Sequence, residues 1–146
     1  MKVFWLAMLT ALLWGFAPVF DKIGLGRATP LAALSVRTVV VAVGLLAFLL
    51  ATGGWREIGG LDSRSVTYLG LGALAAGLLG QLVYYYALKS GEAARVVPLA
   101  ATYPLVAALV AIIFLKEPVT PGKVIGAILI VLGVVAIRMD QTLWPK

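Results

Sequence analysis

The chain has 146 residues, of which 62% are hydrophobic and 12% charged, against about 25% charged in ordinary globular domains; this balance excludes a water-solvated domain. Having no cysteine and no histidine, it also excludes a disulfide framework, a thiol nucleophile and the usual metal clusters. The net charge of +6 comes from basic residues scattered at the ends of apolar runs, which suits anionic lipid headgroups and argues against nucleic acid.

A bilayer span needs about 20 mostly apolar residues as helix. The first such run is Val3 to Phe20. Lys2 in front of it resembles the start of a secretory signal, but the chain passes directly into further spans, so a retained helix is expected. Thr10, Trp14, Pro18 and Asp21 recur at spacings of four, four and three, which puts them on one helix face.

Thr29 before Pro30 predicts an N-cap with proline at the first helical position, opening the second span, Leu31 to Thr52. Arg37 lies seven residues past Pro30, about 10 Å into the helix. At mid-span an arginine costs about 2.5 to 3.5 kcal/mol on insertion scales, and no acid shares its span. Two roles remain open: a binding group, or a structural donor to freed backbone carbonyls. Gly53, Gly54, Gly59 and Gly60 then end the helix and predict the longest loop, running to Ser65.

The third span, Val66 to Leu88, offers Ala73 with Gly77 and Ala76 with Gly80, small residues at a spacing that lets helices approach in lipid. Packing within the chain is the expected use. Gly77, Gln81, Tyr84, Tyr85 and Leu88 share a face, while Tyr86 near Lys89 suits the headgroup level. In the fourth span, Val96 to Leu115, Pro98 and Pro104 each remove a donor and disturb bonding to the carbonyls of Ala94 and Ala100. A kinked helix is expected, with Tyr103 beside the break. Thr120 before Pro121 repeats the capping device ahead of a short fifth span, Val124 to Arg138. Gly122, Gly126 and Gly133 on that helix are the candidate dimer contact.

Five spans place the termini on opposite sides of a membrane. One side then carries Lys2, Arg56, Arg64, Lys116 and Lys123, the other Lys22, Arg27, Lys89, Arg95, Arg138 and Lys146. Lysine and arginine in the loops normally orient such proteins. Five against six is nearly silent, and suggests a chain that inserts both ways and pairs antiparallel with itself; a single topology fixed by a partner or by the insertion machinery is the alternative.

Trp14, Pro18, Arg37, Gln81, Tyr85, Tyr103 and Pro104 together read as one apolar and aromatic small-molecule site with a few hydrogen-bonding groups. No nucleophile, base and orienting group occur together, so neither an enzyme nor a cofactor is expected.

The stretches Leu12 to Val19 (LLWGFAPV), Pro30 to Arg37 (PLAALSVR) and above all Tyr84 to Ile137 resemble the EamA-type domain of the drug/metabolite transporter superfamily. Trp14, Gly15, Pro18, Arg37, Pro104 and Glu117 are the positions that match. Relatives typically carry two such domains as a ten-helix inverted repeat, with substrate between the halves. The resemblance implies that this single domain, residues 1–146, is half of a transporter completed by a second, antiparallel copy.

The expected function is a multi-pass secondary transporter of a small polar or amphipathic metabolite, in the cytoplasmic membrane of a prokaryote. No P-loop is present, and alternating access is the expected mechanism. An Arg37 in each copy would favour substrates with a carboxylate or phosphate. A lipid or lipid-linked sugar flippase and a non-transporting accessory subunit remain alternatives. A small multidrug-type exporter is disfavoured, because the first helix has no acid before Asp21 to exchange a proton for a cation.

Overall fold

The computed structural model describes the backbone of residues 1–143 and the side chains of residues 1–139; Lys146 of the charge count lies outside them. Among the described residues every regular element is helical, and five stretches are long and apolar enough to cross a membrane: Lys2–Gly24, Pro30–Thr52, Ser63–Ser90, Ala93–Phe114 and Pro121–Met139. A helix of 23 residues is about 35 Å long, enough for a hydrocarbon core of about 30 Å with its ends in the headgroups.

The chain forms two compact units, residues 1–90 and 91–146. In the first, α1 (Lys2–Gly24) and α2 (Pro30–Thr52) are joined by a short turn. The predicted cap at Thr29 is present: its hydroxyl accepts the Ala32 N–H at 3.2 Å, with Pro30 in the first turn. Gly53 ends α2 at φ 72°, a left-handed backbone that only glycine adopts without strain.

The loop that follows is more ordered than its glycines imply. It holds a one-turn helix, α3 (Trp55–Ile58), where the Arg56 guanidinium lies 5.6 Å from the Trp55 ring. The third span begins three residues earlier than predicted, because the Asp62 carboxylate accepts the Ser65 N–H at 3.3 Å and caps α4 (Ser63–Gly72). Its middle, Ala73–Gly80, is π-helical before α5 (Gln81–Ser90) resumes the α-helix. The wider turn brings the position of a Cβ on Gly80 to 3.0 Å from the Ala75 carbonyl oxygen, so a side chain there requires that backbone to give by a few tenths of an ångström. At Gly77 a Cβ would meet nothing within 4 Å among the described residues of the first unit, so no helix of that unit packs closely on it.

The second unit holds the fourth and fifth spans. Proline breaks the fourth as expected: α6 (Ala93–Ala100) and α7 (Tyr103–Phe114) are separated by Ala101 and Thr102. Pro104 cannot donate to the Ala100 carbonyl, and the Thr102 hydroxyl bonds the Leu99 carbonyl at 2.8 Å across the break. α8 (Pro121–Leu143) is much longer than the predicted fifth span. Helix starts at the Thr120–Pro121 cap, where the Thr120 hydroxyl accepts the Lys123 N–H at 3.4 Å; apolar content alone had marked only its middle.

Large apolar side chains are exposed along nearly every span. In water that would be ruinous, whereas in lipid those chains already have their solvent. Among the described residues the buried side chains cluster in one place: Leu25, Leu34, Tyr85 and Leu88 are at most 3% exposed and Pro30 is buried with them, at the end of α1, the start of α2 and the end of α5.

Candidate functional site

The charged groups of the first unit gather at this same buried cluster. Asp21, in the last turn of α1, stands six residues before Arg27 at the middle of the α1–α2 turn, and Arg37 stands ten residues after it. The arginine is therefore about one turn deeper, and its long side chain spans the difference, the usual behaviour of a cation near a membrane border.

Arg37 Nη1 donates to Asp21 Oδ2 at 3.1 Å and to the Tyr85 hydroxyl at 3.3 Å. Tyr85 in turn donates to Asp21 Oδ1 at 2.7 Å. The result is a closed triangle drawn from α1, α2 and α5, in which each carboxylate oxygen accepts one bond and the phenol both accepts and donates. Its acid is well shielded and its base less so: the Asp21 side chain is 17% exposed and that of Arg37 43%. A carboxylate and a guanidinium at the edge of a hydrocarbon layer each need a partner, and here each supplies the other's.

Two lysines fasten the same end. Lys22 Nζ donates to the carbonyl of Leu88 at 2.6 Å and Lys89 Nζ to that of Ala28 at 2.6 Å. Cations at a helix C-terminus satisfy carbonyls that have no partner within the helix, so these bonds tie α5 to α1 and to the α1–α2 turn.

The triangle forms one wall of an open recess of about 350 Å³. Gly24, Ala28, Ala32 and Ala33 leave the space because their side chains are small, and Phe20 and Val36 complete an apolar surround. The recess is shallow and open, apolar over most of its lining, with Asp21, Arg37 and Tyr85 as its polar groups. One edge of Arg37 is used by its two partners and the rest of the guanidinium remains available, a donor set suited to carboxylate, sulfonate or phosphate oxygens.

Of the residues singled out from sequence, Arg37 and Tyr85 meet here. Trp14, Pro18 and Gln81 belong to the same unit but lie outside the lining of the recess; Trp14 is exposed and Pro18 sits inside α1. Tyr103 and Pro104 open α7 in the second unit. Gly122, Gly126 and Gly133 lie on α8, where a Cβ at any of them would meet nothing within 4 Å. Glu117 pairs with Lys123 at 3.1 Å between α7 and α8.

Asp21 completes the cluster and stands outside the sequence-derived set. It was placed on the face of Trp14 and Pro18, and the short turn to Arg37 was the signal that could have joined them. Arg37 thus has an acidic partner, supplied from outside its own span.

Comparison with known proteins follows the same lines. The profile of the EamA-like transporter family matches residues 1–139. An uncharacterized transporter in the cobO 3' region of a Sinorhizobium species is 34% identical over 130 residues, 89% of this chain and 91% of that protein. An uncharacterized protein of Methanocaldococcus jannaschii is 33% identical over 136 residues, 93% of this chain and 96% of that protein. No solved structure matches.

Proposed function

Because the chain belongs to the EamA-like transporter family, we propose that this transmembrane protein moves a small polar or amphipathic metabolite by alternating access, without ATP, as an antiparallel homodimer. The observation that carries this reading is the Asp21–Arg37–Tyr85 triangle on the wall of an apolar recess in a chain of five spans. Polar groups are expensive at that depth and are kept where they handle a substrate.

Two irregular stretches suit the required motion. The π-helical Ala73–Gly80 and the break at Ala101–Thr102 interrupt the third and fourth spans near their middles, and transporters of inverted-repeat design use such interrupted helices at the substrate site. Pairing of two copies is supported by the near-even division of basic residues between the two sets of loops. Both similar proteins are matched over more than nine-tenths of their own length.

Purified protein reconstituted in liposomes, preloaded with a metabolite extract and diluted, tests the reading by mass spectrometry of the retained contents. Selective loss of at least one metabolite, absent with Arg37→Ala, is expected; retention identical to empty liposomes rejects transport. Movement of lipid headgroups without loss of soluble metabolites would instead identify a flippase. C-terminal reporter fusions should be active on both sides of the membrane, and activity on one side alone rejects the antiparallel homodimer.

A further inference from the structure

Three groups meet in the triangle, and only one of them can change its charge by gaining a proton. Arg37 keeps its proton under all conditions a protein meets, and the Tyr85 hydroxyl is already a neutral donor. Asp21 is the exchangeable member. It is faced by Arg37 from α2 and by Tyr84 and Tyr85 from α5, with Lys22 next to it on its own helix and bonded to the Leu88 carbonyl.

With Asp21 ionised, its two oxygens hold Arg37 and Tyr85, and the charges of acid and base cancel. A proton arriving on Asp21 removes that cancellation. Arg37 is then a single positive charge at the edge of the hydrocarbon, already bordering a recess whose Gly24, Ala28, Ala32 and Ala33 leave room for a guest. The least costly way to restore neutrality is an anionic group bound to the guanidinium.

We propose that Asp21 is a proton-exchange group that controls whether Arg37 can bind the anionic group of a substrate, so that one proton and one anionic charge are taken up together. In charge terms the empty triangle is neutral, the protonated one carries +1, and the loaded one is neutral again. The proton comes from water on the side from which the anion enters, and both leave together when Asp21 closes back onto Arg37. Because the two ligands are linked, each raises the affinity for the other by the same factor. This inference rests on the transporter reading for its purpose, but the linkage itself is a binding property.

The test uses anions whose own charge does not titrate, namely methanesulfonate, benzenesulfonate and sulfate, added to detergent-purified protein in weakly buffered solution. The wild-type protein should bind at least one of them more weakly as pH rises, by up to about tenfold per unit of pH, and a pH-indicator dye should record about one proton taken up per anion bound. Asp21→Asn, which mimics the protonated acid, should bind the same anion at all pH values with no proton uptake. Arg37→Gln should not bind it. Proton uptake on the wild-type protein needs no variant to fold.

The inference is overturned by wild-type binding that does not depend on pH, by Asp21→Asn binding that retains the wild-type pH dependence, or by no binding of all three anions. The liposome measurement separates the two readings. Flux with pH-independent anion binding rejects the proton control and keeps transport, whereas proton-linked binding without flux does the reverse.

Discussion

Removing the two charges of the triangle one at a time should cost far more than removing both. Unit charges about 4 Å apart attract by about 4 kcal/mol at an effective dielectric constant of about 20, and the N–O contact of 3.1 Å places Asp21 and Arg37 in that range. Part of this is lost to solvent, since the Arg37 side chain is 43% exposed, and fully exposed pairs give only about 0.2 to 1 kcal/mol. A coupling energy of about 2 kcal/mol is expected. The two single variants should also differ. Arg37→Gln strands the better shielded partner, Asp21 at 17% exposure, and should be the more destabilising; Asp21→Asn keeps a hydrogen-bond acceptor for Tyr85 and leaves its charge on the more exposed side chain. Reversible unfolding in mixed micelles, followed by tryptophan fluorescence, gives the stabilities of wild type, both singles and the double variant. If the losses of the singles add up in the double, within about 0.5 kcal/mol, the pair contributes no coupling and the argument built on its charge balance fails.

Gly80→Ala should lower the melting temperature more than Gly77→Ala, because a Cβ at Gly80 meets the Ala75 carbonyl at 3.0 Å whereas one at Gly77 meets nothing; equal melting temperatures would mean that the π-helical turn relaxes freely. Gly126→Leu should shift purified protein toward monomer in size-exclusion chromatography with light scattering, since among the described residues nothing outside its own stretch of helix lies within 4 Å of its Cβ position and the face is open to a second copy; an unchanged dimer fraction removes this helix face from the dimer contact. The Asp62 carboxyl is held below its ordinary range chiefly by its hydrogen bonds from Ser65. A depressed carboxylate stabilises the fold above its unfolded pKa and loses that contribution as pH falls through its folded value, so acidification below about pH 4 should weaken the α4 cap; Asp62→Asn should flatten that part of the melting-temperature profile, and an unaltered profile refutes the assignment.

The sequence by itself determined what depends on near neighbours. Thr29–Pro30 and Thr120–Pro121 announced helix starts because a cap is made within three residues, Gly53 announced a helix end because its backbone turns left-handed, and Pro104 announced the break in the fourth span because it removes a bond four residues away, whereas α6 runs on through Pro98. Span number followed from apolar length, although Asp62 and Pro121 set helix starts that apolar length could not show.

The tertiary structure alone decided which polar groups meet. Asp21 and Arg37 are 16 residues apart and Asp21 and Tyr85 are 64 apart, so their meeting depends on how each helix is rotated about its axis. In a soluble helix the contrast between polar and apolar faces reports that rotation. These helices are apolar on nearly every side, and one residue more or less turns a side chain by about 100° without changing the pattern. Arg37 was therefore legible as a costly charge, while the carboxylate that neutralises it, and the recess they border, existed only once α1, α2 and α5 were packed.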